Sequence, residues 1–148
     1  QHRLAQGDCS SARHSMEMII TQMQVPLIQG LLEHAYDAAH FDDMKFQAHA
    51  LAYGFAVLPM IHECDAEDAI VLQHELTASP QSMEFQTVKR VLERNYECLN
   101  LECEDIGGMY NLALEDYEVG AFPCWNPHAK RDQDRRTVKI VTILVIVL

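Results

Sequence analysis

Residues 42–62, DDMKFQAHALAYGFAVLPMIH, carry Phe46, His49, Ala50, Tyr53, Val57 and Ile61 at steps of three and four. Apolar residues at that spacing line one face of an α-helix. Asp42 or Asp43 stands before the run as its N-cap, and the helix is expected to end near His62, with Pro59 bending its last turns.

The same period extends on both sides. Upstream, Met16, Ile19, Ile20, Met23, Leu27, Leu31, Ala35 and Ala38 define a first helix from Ser10, Ser11 or Ser15 to about Ala39. Pro26, followed by Gly30, places a kink or break near residues 22–26. Met16 and Met23, with Met60, Phe46, Tyr53 and Phe85, are read as core. Downstream, Asp65-Ala-Glu-Asp68 starts a third helix that stops at Leu76, acids set against the positive end of its dipole. Ser79-Pro80 opens a fourth, running to about Tyr96 with Phe85, Val88, Val91 and Leu92 inward. Short connections between such helices make an antiparallel bundle of about four helices the expected fold, over residues 1–98.

The character then changes. Residues 99–136 hold Gly107-Gly108, Gly120, Pro123 and Pro127, with a helical turn or two expected around Met109 to Asp116. A stretch this long without regular structure needs a tether, and Cys98, Cys103 and Cys124 lie in or beside it. Trp125 would pack on the Cys124 bridge. Cys9 precedes the first helix and Cys64 follows the second, so a helical hairpin would bring them to one end. The expected bridges are Cys9–Cys64 and Cys103–Cys124, and an odd fifth cysteine is left free or bonded to another chain.

Residues 137–148, TVKIVTILVIVL, form the most strongly strand-like segment. Val138, Ile140, Leu144, Ile146 and Leu148 fall on one face and Val141, Ile143, Val145 and Val147 on the other. A strand apolar on both faces requires cover on both, and partners for its backbone. Two sources of those partners stay open: strands of neighbouring copies, or a segment within 106–122 such as Tyr117-Glu-Val. The run is too short for a spanning helix, and its basic approach does not suit a lipid-anchor signal.

Charge is uneven. The chain carries −11 overall, yet residues 130–139 hold Lys130, Arg131, Arg135, Arg136 and Lys139 against Asp132 and Asp134, leaving 6 basic and 20 acidic groups before them. An acidic body argues against nucleic acid as a partner. A basic neck would suit attraction to the body of another copy, or serve as a solvated linker.

Patterns that carry chemistry are weak. His34-x-x-Asp37-x-x-His40 could spread three ligands over one side of a helix, though the spacing matches no metal motif. His62-Glu63 and His74-Glu75 lack the second histidine of a zinc-protease helix. No nucleophile elbow or phosphate loop occurs, and the acids of 102–118 miss the EF-hand register. No enzyme activity, cofactor or metal is expected.

The reading that follows is a structural, self-assembling subunit of an extracellular homopolymer, in the secretory lumen or outside the cell. Its partners are copies of itself, joined through strand 137–148, with neither nucleic acid nor a transmembrane segment. The alternative is a secreted helical binding module for an apolar ligand or a protein partner.

Overall fold

The computed structural model describes residues 9–41 and 43–124. The terminal strand, the basic neck, Asp42 and Trp125 lie outside them. The described chain is mainly helical, with five α-helices, a short antiparallel hairpin and two disulfides.

Helix α1 spans Cys9–Phe41 in one piece, with Pro26 inside it. The expected break does not occur. At 33 residues it is roughly 50 Å long, against about 31 Å for the 21 residues of α2, Met44–Cys64. Asp43 caps α2, its side chain accepting from the Lys45 N–H at 2.8 Å. Asp65 ends α2 and begins α3 (Ala66–Thr77). Its N–H donates to the Ile61 carbonyl at 2.7 Å, while its carboxylate accepts from the N–H groups of Glu67 and Asp68 at 2.9 and 3.1 Å.

The fourth expected helix is split. A 3-10 turn occupies Pro80–Ser82, and α4 runs Phe85–Asn95. The Ser79 side chain caps no backbone group; its hydroxyl pairs with that of Ser82 at 2.8 Å. The Glu84 N–H at the head of α4 is taken instead by Glu75 at 2.8 Å. α5 is a single turn, Cys103–Ile106.

The core forms where the lower half of α1 meets α2, α3 and α4. Ile28, Leu31, Leu32 and Ala35 face Ala50, Val57, Ile61, Leu72, Leu76, Val88, Val91 and Leu92, all buried. Two glycines set the helix spacing. A Cβ on Gly30 would stand 2.5 Å from the Tyr53 ring, and one on Gly54 would stand 2.3 Å from Leu76 Cδ1. A polar staple joins α3 to α4: buried Asp68 accepts from Arg94 and, at 2.8 Å, from the Asn95 amide, which also donates to the Val91 carbonyl. A buried carboxylate held this way has its lone pairs satisfied.

Residues 109–117 correct the expected helical turn. Tyr110–Asn111 (β1) pairs with Asp116–Tyr117 (β2), Tyr110 opposite Tyr117. Asn111 is the local cause: its side-chain oxygen accepts from the N–H groups of Ala113 and Leu114 at 2.9 and 3.3 Å, giving the backbone an alternative to helix. Glu118 then fastens the hairpin to α1, accepting from Asn111 at 2.6 Å and from the Tyr36 hydroxyl at 3.3 Å.

Burial, then the Glu118 carboxylate, raise the Tyr36 phenol; burial, then Glu93, raise that of Tyr96. A folded phenol raised above its unfolded value holds its proton in the native state. That stabilisation is complete below the ordinary tyrosine range and is lost as pH climbs toward the raised value. Urea midpoints should therefore fall between about pH 9 and 11.5, and less steeply in Tyr96→Phe, which has no phenol to ionise.

Candidate association surface

Every residue of α1 before Ile28 is exposed or half-buried. Met16, Met18, Ile19, Ile20 and Met23 are 49–63% exposed, although four of them sit at core spacing. This overturns the reading of Met16 and Met23 as core. For Met16 the reason is length: α1 outruns α2, and its first turns have no helix beside them among the described residues. Met23 stands level with the end of α2 but roughly 140° around the helix from buried Ile28, on the side turned away from the core. The overhang from Cys9 to Gln24 is electrically neutral by formal charge, holding Arg13 and Glu17 in addition to His14.

Where the overhang leaves the body there is a groove of about 340 Å³. Glu17, Ile20, Thr21 and Gln24 line it from α1, Met60, Glu63 and Cys64 from α2, and Cys98, Leu99 and Asn100 from the segment beyond α4. Gln24, one of the lining residues, has a buried side-chain oxygen without a hydrogen-bond partner. An acceptor in that condition costs free energy until a donor reaches it.

The groove also explains the disulfides. Cys64 is bonded to Cys98, with Cα atoms 5.9 Å apart, and Cys103 to Cys124 at 5.6 Å. Cys9 is free and exposed, which corrects the expected Cys9–Cys64 bridge. Cys64 lies at the level of residues 17–24 of α1. An unbroken helix carries Cys9 at least eight residues further, roughly 12 Å, beyond the reach of a disulfide. Of the expected pairs, Cys103–Cys124 is the one present. Cys98, left out of that scheme, is the true partner of Cys64.

The weak metal candidates disperse. His40 donates from Nδ1 to the Tyr36 carbonyl at 2.8 Å and stacks on the Tyr36 ring. His34 turns toward α2, its ring 4.8 Å from that of His49 and 5.5 Å from that of Tyr53. Asp37 lies near both histidines on α1, its carboxyl raised by burial and Glu33 and lowered by His34 and His40. Among the described residues no three His, Cys, Asp or Glu side chains gather around a common point. No described helix is long and apolar enough to cross a membrane.

A second hollow, about 360 Å³, opens between α1, α4 and the disulfide-held segment. Leu32, Phe85, Ile106, Met109, Tyr110 and Phe122 give it an apolar wall, with Glu33 and Lys89 at its edges. Sequence periodicity did not reveal it, because half of its wall comes from irregular chain.

The fold and its surfaces define a disulfide-tied helical protein with a neutral, apolar helix end projecting from an acidic body. No protein-family model, curated protein or solved structure matches the chain.

Proposed function

We propose that this chain is a self-associating structural subunit, assembled from copies of itself in an oxidising compartment such as the extracellular space. The observation that carries the reading is the overhang of α1, where Met16, Ile19, Ile20 and Met23 meet solvent at a spacing that suits burial. A continuous exposed apolar stripe on a helix favours a partner surface. The two disulfides support the compartment. The apolar, β-branched composition of residues 137–148 supports a second pairing element, acting between copies and able to extend a dimer into a polymer.

Light scattering on the full chain tests this. The expected particle is larger than one chain, and deleting residues 137–148 should reduce its mass while helical circular dichroism is retained. A single-chain mass at every concentration would sink the proposal. Loss of helical signal on deletion would assign the segment to the folding of its own chain.

The hollow beside Phe85 and Phe122 favours the second reading, an apolar-ligand module. A thermal shift given by a fatty or aromatic compound to the native chain, and lost in Phe122→Asp, would support it.

A further inference from the structure

The overhang of α1 carries a regular seam. Cys9, Met16 and Met23 repeat every seven residues, with Ala12 and Ile19 interleaved three residues after the first two, all within the helix. This is the spacing of the inward positions of a two-stranded coiled coil. Arg13 and Ile20 follow the interleaved positions and flank the seam on one side. Glu17 and Gln24 stand beside that flank, facing the groove at the root of the overhang.

The groove is chemically one-sided. Glu17 and Glu63 supply two carboxylates and Ile20 and Met60 apolar surface; among the described residues no cationic side chain lines it. Such a site suits a guanidinium on an apolar stem, which brings five donors and a flat face. Resting on the self-association reading above, we infer that the occupant is α1 of a second copy, packed antiparallel along the seam so that its Arg13 enters the groove.

Charge and geometry choose this occupant and its direction. The acidic groups are concentrated on the bodies, whereas the overhang is neutral by formal charge, so copies meet there with the least like-charge repulsion. A parallel pair would set the two acidic bodies side by side. An antiparallel pair sends them to opposite ends and opposes the two helix dipoles. Met16 of each copy then packs beside the partner's Ile19, and Met23 beside the partner's Ala12. In this register the flank bearing the partner's Arg13 faces the flank bearing Ile20, next to Glu17 and Gln24. The two-fold axis makes the contact twice. Two heptads form a small seam, so the dimer should depend on concentration.

The test uses the full chain, with association followed by sedimentation and folding by circular dichroism. Arg13→Glu and Glu63→Arg should each weaken dimerisation roughly tenfold or more, and the double variant should recover most of it. Met16→Glu, at an exposed position, should weaken it while leaving the helices intact. The register also places the two Cys9 residues about 25 Å apart along the pair, so mild oxidation with glutathione disulfide should not join them to each other. A rapid Cys9–Cys9 dimer would overturn the antiparallel arrangement. Association untouched by Met16→Glu and Arg13→Glu would overturn this surface and leave self-association standing. A chain that is monomeric throughout would overturn both.

Discussion

Replacing Cys64 and Cys98 by serine should lower the stability of the chain by about 4 kcal/mol, the loop-closure value for a 34-residue separation. The bridge joins the end of α2 to the segment that leaves α4, and Leu99 and Leu101 just beyond it are buried. Without it, the unfolded chain gains freedom over everything between: all of α3, the 3-10 turn and α4. The native helices keep their core contacts, so the loss appears as a lower urea midpoint rather than as missing structure. Cys103–Cys124 closes 21 residues, and its removal should cost about 3 kcal/mol by the same relation. The order of the two effects is itself a check. If the second replacement proved the more damaging, the hairpin segment would be contributing more to the fold than closing a loop.

The second large effect lies where α2 crosses α3. Leu76 is fully buried, and Leu76→Ala should cost about 3 kcal/mol through lost transfer energy and the cavity left behind. Gly54→Ala should also destabilise, although alanine is the better helix former by about 1 kcal/mol, because the new methyl would stand 2.3 Å from Leu76 Cδ1. The combination is the informative one. With Leu76 shortened, the methyl at 54 has room and fills part of the cavity, so the double variant should be more stable than the sum of the single losses by about 1–2 kcal/mol. Urea unfolding of the four proteins measures that coupling directly. Additive losses would mean that the two helices adjust their spacing independently of this contact.

Much of the helical architecture was legible from spacing and caps. Phe85, Val88, Val91 and Leu92 were read as an inward face and are buried, as are Ala50, Val57 and Ile61. Asp65 was read as a helix start and caps α3. The first helix shows the limit of that method. Met16, Ile19 and Met23 keep helical spacing, but Ile19 and Met23 lie roughly 160° and 120° around α1 from Ala35, so their stripe does not continue the covered face of Leu31 and Ala35. Periodicity reports that a face is apolar; what lies against it depends on how far the neighbouring helix extends and on which side of α1 it stands. The Cys9–Cys64 expectation failed for the same reason, since it assumed that two helices of unequal length end together. The hairpin at 110–117 was hidden because its determinant is one asparagine side chain bonding its own backbone. The Asp68–Arg94–Asn95 staple was hidden because it joins residues 26 and 27 positions apart. The terminal strand and the neck, which carried the functional expectation, fall outside the described residues, and the exposed apolar stripe lies on a helix instead.

The corner at Asp65 has a consequence for how this chain can vary. One residue closes α2 and opens α3, so the two helices share a rotational phase with no slack between them. Inserting a single residue there would part the N–H that closes α2 on Ile61 from the carboxylate that caps Glu67 and Asp68, and would shift α3, with Leu72 and Leu76, relative to the core. Between β1 and β2, where Leu112 and Leu114 already point to solvent, an added residue would change nothing inside. Length is thus tolerated at the hairpin tip and forbidden at the corner, so the angle between α2 and α3 is held as firmly as any packed side chain.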